Sequence, residues 1–236
     1  MELLLMTLRA AKRSVPAGKA GRMAACTLLL LLGTAACSPT GEGAEDTSTR
    51  PDGDTGSTAL SQEVTNATNF HLLDFVGWNN ADLDVFRHLH TADVKVEFGA
   101  MKTEGIDAHV AALQPMMQPS SRLISHSPVI AQGEWTCVVG TSAAPPNGKM
   151  VTVAKWRDGA ISEEYISANL LAPGAAKPTG TGSAVASITN EDPDLKALVG
   201  AEQGWSCRLD RTADGKMMFT VSKAGGTADE QMVFVG

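Results

Sequence analysis

The pattern of apolar and polar positions becomes regular near residue 60, and it is helical at first. Between residues 62 and 78 the apolar side chains recur mostly at helical spacing, which predicts an amphipathic helix. The pattern breaks after Trp78, and Asp82 stands where the N-cap of a second helix through residue 90 is expected. Asp107 is placed to cap a third helix.

Alternation of apolar and polar residues then predicts β-strands. The predicted strands are residues 94–98, 122–132, 134–142, 149–157 and 160–168. The last two are joined by Asp158-Gly159, a strong hairpin signal. Helices followed by consecutive hairpins predict an α+β fold, with the N-terminal helices laid on one face of a curved antiparallel sheet.

The C-terminal part of the chain has a different organisation. Residues 172–185 are rich in Gly, Ala, Pro and Thr and are predicted to be a linker. Beyond it the pattern predicts a short helix and three strands, at residues 192–200, 205–211, 216–223 and 232–235. We therefore expect a domain at residues 61–171 and a small β-rich extension at 186–236, whose role the sequence leaves open.

The first 36 residues have the layout of a secretory signal peptide, with a basic segment, a run of leucines and then small residues. The leucine run is shorter than the roughly 20 residues that cross a bilayer. The segment ends at Cys37 and resembles the lipobox of bacterial lipoproteins, in which that cysteine is lipidated. Thr34 stands where the lipobox favours leucine, and an ordinary cleaved signal is the alternative.

Residues 37–60 contain no aromatic side chain and are dominated by small, polar and acidic residues, which predicts a flexible tether. A lipidated Cys37 followed by a tether predicts a domain anchored to the cell membrane on its extracytoplasmic face.

Charge limits the partners of the domain. The chain carries 19 Lys and Arg against 26 Asp and Glu, and five of the basic residues and one of the acidic residues lie in the leader. Cleavage before Cys37 leaves 14 against 25, a net charge of −11. Because phosphate neutralisation supplies most nucleic-acid affinity, so acidic a chain is not expected to bind nucleic acid.

Two cysteines remain beyond the leader and the lipobox, Cys137 and Cys207. In an oxidising compartment such a pair suggests a disulfide, with two buried free thiols as the alternative.

Along residues 62–170, the order of the predicted elements and the turn residues between them resemble those of the SnoaL-like polyketide-cyclase family, within the nuclear-transport-factor-2-like superfamily. The resemblance rests on the segment WNNADLDVFRHLHTADVKVEF, on KTEGIDAHVAAL, and above all on GTSAAPPNGKMVTVAKWRDGAISEEYIS. In the last segment the Pro145-Pro146 turn, the Asp158-Gly159 turn and Glu163 before Tyr165 follow the family pattern.

This resemblance implies a cone-shaped barrel formed by a curved sheet and its helices, with a pocket inside, and family members often form homodimers. The family includes cyclases, isomerases and binding modules, so the fold leaves the activity open. Its cyclases often carry an aspartate shortly after the aromatic residue of the final strand, where this chain has none.

Candidate chemistry centres on the last predicted strand. Alternation places Ile161, Glu163 and Tyr165 on one face, so Glu163 is expected inside the pocket if its neighbours are. A carboxylate in an apolar pocket could act as a general base or acid, with His126 as its partner. The alternatives are an ion pair between Glu163 and Lys155, and a merely structural histidine.

The other histidines predict no metal site. His88 and His90 stand two apart, a spacing that turns them to different faces of a helix. We expect His90 to pack at a helix end, and His71 and His109 to be exposed. No cofactor is expected either, because no P-loop or dinucleotide fingerprint occurs.

The aromatic residues could line a pocket for a small apolar or mixed-polarity ligand, or form ordinary core. They are Phe75, Trp78, Phe98, Trp135, Trp156 and Tyr165. The sequence thus favours an anchored ligand-binding domain. The alternatives are a cofactor-independent acid/base enzyme acting on a carbonyl or polyketide-like substrate, and a protein-interaction module whose pocket is filled.

Overall fold

The computed structural model of the protein describes residues 60–143, 148–178, 182–227 and 230–236. The predicted signal peptide, Cys37 and the tether as far as residue 59 lie outside them. The described residues belong to one compact unit. None of the helices in this part of the chain is long and apolar enough to span a membrane.

The helices follow the predicted order. They are α1 (Gln62–Leu72), which continues as a π-helical segment (Leu73–Trp78), α2 (Leu83–His88), α3 (Ile106–Leu113) and α4 (Asp194–Val199). Asp82 caps α2 as predicted, since its carboxylate accepts hydrogen bonds from the backbone amides of Asp84 and Val85. The predicted cap of α3 is wrong: the helix begins after Gly105, and Asp107 lies in its first turn.

The strands of the first sheet are β1 (His90–Phe98), β2 (Met101–Glu104), β3 (Leu123–Gln132), β4 (Trp135–Ser142), β5 (Lys149–Arg157) and β6 (Ala160–Ser167). Those of the second sheet are β7 (Ser183–Thr189), β8 (Trp205–Arg211), β9 (Met217–Lys223) and β10 (Gln231–Val235). The sequence did not predict β2 or β7, and the start of β7 lies within the segment predicted as a linker.

The fold is mixed α+β, which confirms the predicted class at that level. The first sheet has the order β2-β1-β6-β5-β4-β3, with β2 and β3 as its edges, so the described strands do not close into the expected barrel. Nor is the sheet wholly antiparallel, because β1 and β6 pair in parallel. Local hairpin signals could not reveal this pairing, which forms only when the β3–β6 meander returns to β1.

The two faces of the first sheet belong to different cores. Residues such as Val138 and Ala154 pack against the N-terminal helices, and Leu195 of α4 joins the same cluster. The alternate residues, such as Val139 and Val153, pack against the second sheet. The protein therefore has three layers, with the first sheet in the middle.

The second sheet is tied to the first by polar and covalent links as well as by apolar packing. A disulfide joins Cys137 of β4 to Cys207 of β8. The Arg211 guanidinium forms two hydrogen bonds with the Glu97 carboxylate, at 2.7 and 3.2 Å. Asn190 accepts a hydrogen bond from the backbone amide of Ala131. The C-terminal residues thus cover a face of the first sheet that would otherwise be exposed.

Candidate functional site

A bulge in β6 decides which carboxylate faces the helices. Lys155 of β5 pairs with Glu163, but the next residue, Trp156, pairs with Ile161, so Ser162 is an extra residue without a partner in the register. The alternation shifts by one position at Ser162. Ile161 and Glu164 consequently face the helix side, and the expected inward orientation of Glu163 is wrong.

Glu163 lies instead on the side of the second sheet. Its carboxylate accepts a hydrogen bond from the Tyr165 hydroxyl at 2.7 Å and lies 3.9 Å from the Lys155 ammonium. Its side chain is 35% exposed and borders an open surface pocket lined by charged residues such as Arg157. This geometry matches the alternative in which Glu163 pairs with Lys155.

On the helix side, Asp74 and His126 form a pair. Asp74 belongs to the π-helical segment after α1, a kind of distortion that is frequent at functional sites. Its Oδ2 lies 2.9 Å from Nε2 of His126 on β3. The imidazole is 1% exposed and the carboxylate 14%. Burial raises the pKa of Asp74, and the hydrogen bond with His126 only partly offsets this effect.

His126 is surrounded by rings. The centroid of the Phe75 ring lies 4.5 Å from that of His126, and the His71 centroid lies 4.8 Å away. Burial and, secondarily, the neighbouring His126 lower the pKa of His71 from 6.5 to about 4. The side chain of His71 is half-buried, and not exposed as the sequence predicted.

A second polar cluster surrounds Glu164. Its Oε2 lies 3.5 Å from Nε2 of His109 and 3.7 Å from Nε2 of His90, and all three residues are at least 95% buried. Burial alone would raise the pKa of Glu164. The interactions of its carboxylate with the adjacent His109 and His90 rings outweigh the effect of burial, so this pKa is lowered. The expected exposure of His109 is wrong, because the helix turns this imidazole towards a carboxylate on the sheet.

A cavity of about 30 Å³ lies between the helices and the first sheet, next to both clusters. Its lining is mostly apolar, with two carboxylates: Leu73, Asp74, Trp78, Phe86, Phe98, Leu113, Met150, Thr152, Glu164 and Ile166. A volume of this size holds one or two water molecules. The arrangement combines an apolar chamber with groups that bind or transfer protons.

The predicted aromatic residues divide between the two faces of the sheet. Trp78 and Phe98 line the cavity, and Phe75 packs against His126. Trp156 is 2% exposed and lies in the helix-side core. Trp135 and Tyr165 pack against the core on the opposite face and so lie away from the cavity.

The fold and the cavity together define an α+β domain whose interior holds a small, mostly apolar cavity lined by two carboxylates. No protein-family model matches the chain, and no curated protein is significantly similar to it.

Among solved structures, the chain is similar to a protein from Jannaschia sp. CCS1 assigned as a SnoaL-like polyketide cyclase, with 22% identity and a TM-score of 0.36 over 45% of this chain and 88% of that one. A protein from Agrobacterium tumefaciens assigned as an isomerase of the SnoaL-like family is 15% identical, with a TM-score of 0.37 over 45% and 97% of the two chains.

An LEH-like epoxide hydrolase from M. tuberculosis is 18% identical, with a TM-score of 0.38 over 45% and 84% of the two chains. The first two of these structures carry the SnoaL-like designation, but similarity at this level assigns no activity to the chain.

Proposed function

We propose that this domain binds a small molecule in the cavity between the helices and the first sheet, with the polar end of the ligand at Asp74 and Glu164. The observation that carries this proposal is the presence of two carboxylates in an enclosure that is mostly apolar. Apolar cavities with a few convergent polar groups and perturbed pKa values are the usual form of ligand sites. The bound molecule is accordingly apolar over most of its surface and carries a polar group at one end.

The second function that the geometry supports is cofactor-independent acid/base catalysis. Asp74 and His126 are already hydrogen-bonded, and burial raises the pKa of Asp74 towards the range in which a carboxylate exchanges protons at neutral pH. A carbonyl compound held beside them would transfer a proton from the carbon next to its carbonyl group to the ionised Asp74 carboxylate, and the electron pair left on that carbon would be delocalised onto the carbonyl oxygen as an enolate. Asp74 and His126 fit this role better than Glu163, which lies on the opposite face of the sheet.

The size of the cavity sets a condition on both functions. At about 30 Å³ it does not hold an organic ligand, so side chains such as Trp78 and Met150 must move when one enters. If they do not move, the interior is simply filled. The domain would then be the interaction module that the sequence left as an alternative.

Cyclohexanone is a suitable probe because it is apolar apart from one carbonyl group. We expect it to shift the amide NMR signals of residues around Asp74 in the full chain, and to exchange its α-hydrogens for deuterium faster than in D₂O buffer alone. Asp74→Asn should reduce the protein-dependent exchange at least about 100-fold. Glu163→Gln is the matched control, and it should leave the exchange unchanged.

The outcomes separate the three functions. Shifts without exchange support binding alone. Exchange that is lost in Asp74→Asn and kept in Glu163→Gln supports catalysis. If cyclohexanone and a flat probe such as 2-naphthol cause neither shifts nor exchange, the cavity proposal is wrong and the interaction module is favoured.

The proposal includes the anchoring inferred from the leader: the domain would act at the extracytoplasmic face of the membrane, held by a lipid on Cys37. Mass spectrometry of the mature protein should find its N-terminus at Cys37 with an added diacylglycerol mass, and Cys37→Ala should release the protein from membranes. A mature N-terminus at another residue would contradict the anchor. A homodimer would need a surface other than the sheet face that the C-terminal strands cover.

A further inference from the structure

Three donor atoms from three separate elements converge in the helix-side core. His90 begins β1, His109 lies on α3 and Glu164 lies on β6 after the bulge. One ring nitrogen of each histidine and a carboxylate oxygen of Glu164 all lie within 4.8 Å of one another. Such a set cannot be recognised from spacing in the sequence, because the fold alone brings the residues together.

These donor atoms have no other partners. Nε2 of His90, Nε2 of His109 and Oε2 of Glu164 are buried and accept or donate no hydrogen bond in the described part of the chain. Oε2 of Glu164 lies 3.5 Å from Nε2 of His109 and 3.7 Å from Nε2 of His90, and both distances are too long for good hydrogen bonds. A buried polar atom left unsatisfied is costly, so three of them this close together favour an occupant between them.

The other ring nitrogen of each imidazole, Nδ1, lies beside an oxygen atom that fixes the orientation of the ring. Nδ1 of His90 lies 2.7 Å from the Phe86 carbonyl oxygen, which can only accept, so the proton of a neutral His90 sits on Nδ1 and Nε2 keeps its lone pair. Nδ1 of His109 lies 3.3 Å from the Thr103 hydroxyl oxygen. This arrangement, with one ring nitrogen held by an oxygen and the other free, is the one that metal-binding histidines adopt.

We propose that His90, His109 and Glu164 bind a divalent first-row transition-metal ion. Two imidazole nitrogens and one carboxylate oxygen suit zinc and its neighbours, whereas magnesium and calcium prefer sites made entirely of oxygen. Three protein ligands leave room for a further ligand on the ion, and Glu164 also lines the cavity that Asp74 lines. The proposal goes beyond small-molecule binding and does not depend on it.

The test uses the full chain after removal of metal with a chelator. Isothermal titration with Zn²⁺ should give one site with a dissociation constant below about 1 μM, and Zn²⁺ should raise the unfolding temperature. Co²⁺ should bind at the same site and give the visible absorption bands of a nitrogen- and oxygen-ligated ion. Mg²⁺ at millimolar concentration should do neither.

Variants place the ion at these residues. His109→Gln and Glu164→Gln should each weaken Zn²⁺ binding at least 100-fold while the circular dichroism spectrum is retained. His88→Gln is the matched control, since His88 is exposed and only two residues from His90. It should bind Zn²⁺ as the unaltered chain does.

Two results would overturn the proposal. One is a folded, unaltered chain that binds neither Zn²⁺ nor Co²⁺ below 1 mM, which requires no variant. The other is affinity that is equal in His109→Gln, Glu164→Gln and the His88→Gln control. Loss of Zn²⁺ binding with cyclohexanone shifts intact would leave the small-molecule proposal standing on its own.

Discussion

His126 and Asp74 are 52 residues apart in the chain, yet their side chains meet at 2.9 Å in the helix-side core. The contact joins the π-helical segment after α1 to the edge strand β3. It places a carboxylate that lines the mostly apolar cavity beside a buried imidazole. Burial raises the pKa of this carboxyl group above its ordinary value. Binding sites often carry such a local cost in stability.

Asp74→Asn tests this cost. Because the pKa of Asp74 is raised in the folded protein, its contribution to stability is fully present below the unfolded pKa of 3.8 and is lost as the pH rises through the folded value. The amide cannot ionise and can still accept a hydrogen bond from His126. We therefore expect Asp74→Asn to gain stability relative to the unaltered protein between pH 4 and pH 7, measured by urea unfolding.

Asp84, exposed at the start of α2, offers the control. Asp84→Asn should change stability by less than about 0.5 kcal/mol at each pH. Equal pH trends for the two variants would show that Asp74 is not strained.

His71 should make the protein sensitive to acid. Its folded pKa of about 4 lies below the ordinary value of 6.5, so between these values the unfolded chain binds more protons. Stability should therefore fall as the pH drops from 6.5 to 4. His71→Gln should reduce this fall in urea unfolding experiments, and the exposed His88→Gln should not.

The disulfide between Cys137 and Cys207 should stabilise the packing of the two sheets. It closes a sequence separation of 70 residues. Loss of such a cross-link lowers the free energy of unfolding by about 2–4 kcal/mol. The double variant Cys137→Ala, Cys207→Ala should show this decrease in urea unfolding experiments. Alkylation of the unreduced, denatured protein should modify neither cysteine; labelling of both would contradict the disulfide.

Tyr165 is the only tyrosine of the chain, so its ionisation can be followed by absorbance near 295 nm. Burial raises its pKa, and the hydrogen bond to Glu163 raises it further. Glu163→Gln should lower this pKa and increase the tyrosinate fraction at pH 11, where the fold is checked by circular dichroism. Glu134→Gln is the control, because Glu134 contacts Lys155 as Glu163 does. Identical titration curves for both variants would place Tyr165 away from Glu163.

Much of the fold follows from local patterns. Asp82 caps α2 because the preference for a side-chain oxygen at that position is local, and the β3–β6 meander follows from alternation and turn residues. The parallel pairing of β1 with β6 and the covering of the first sheet by the second depend on contacts far apart in sequence. Periodicity carries no information about them.

The candidate site was only partly predictable. His126 stands out as a histidine on a strand, and Trp78 and Phe98 as aromatic residues facing a core. Asp74 carries no local signal, since a carboxylate within a helix is normally exposed and its partner lies 52 residues away.

The sequence by itself determined the α+β class, the order of the helices and of the strands other than β2 and β7, and the two cysteines available for a disulfide, because spacing, capping and turn chemistry act over a few residues. Only the tertiary structure decided which carboxylate faces the helices. One extra residue in β6, Ser162, turns Glu163 outwards and Glu164 inwards. Strand alternation has a period of two, so a single bulge exchanges the faces, and the bulge itself is set by pairing with β5.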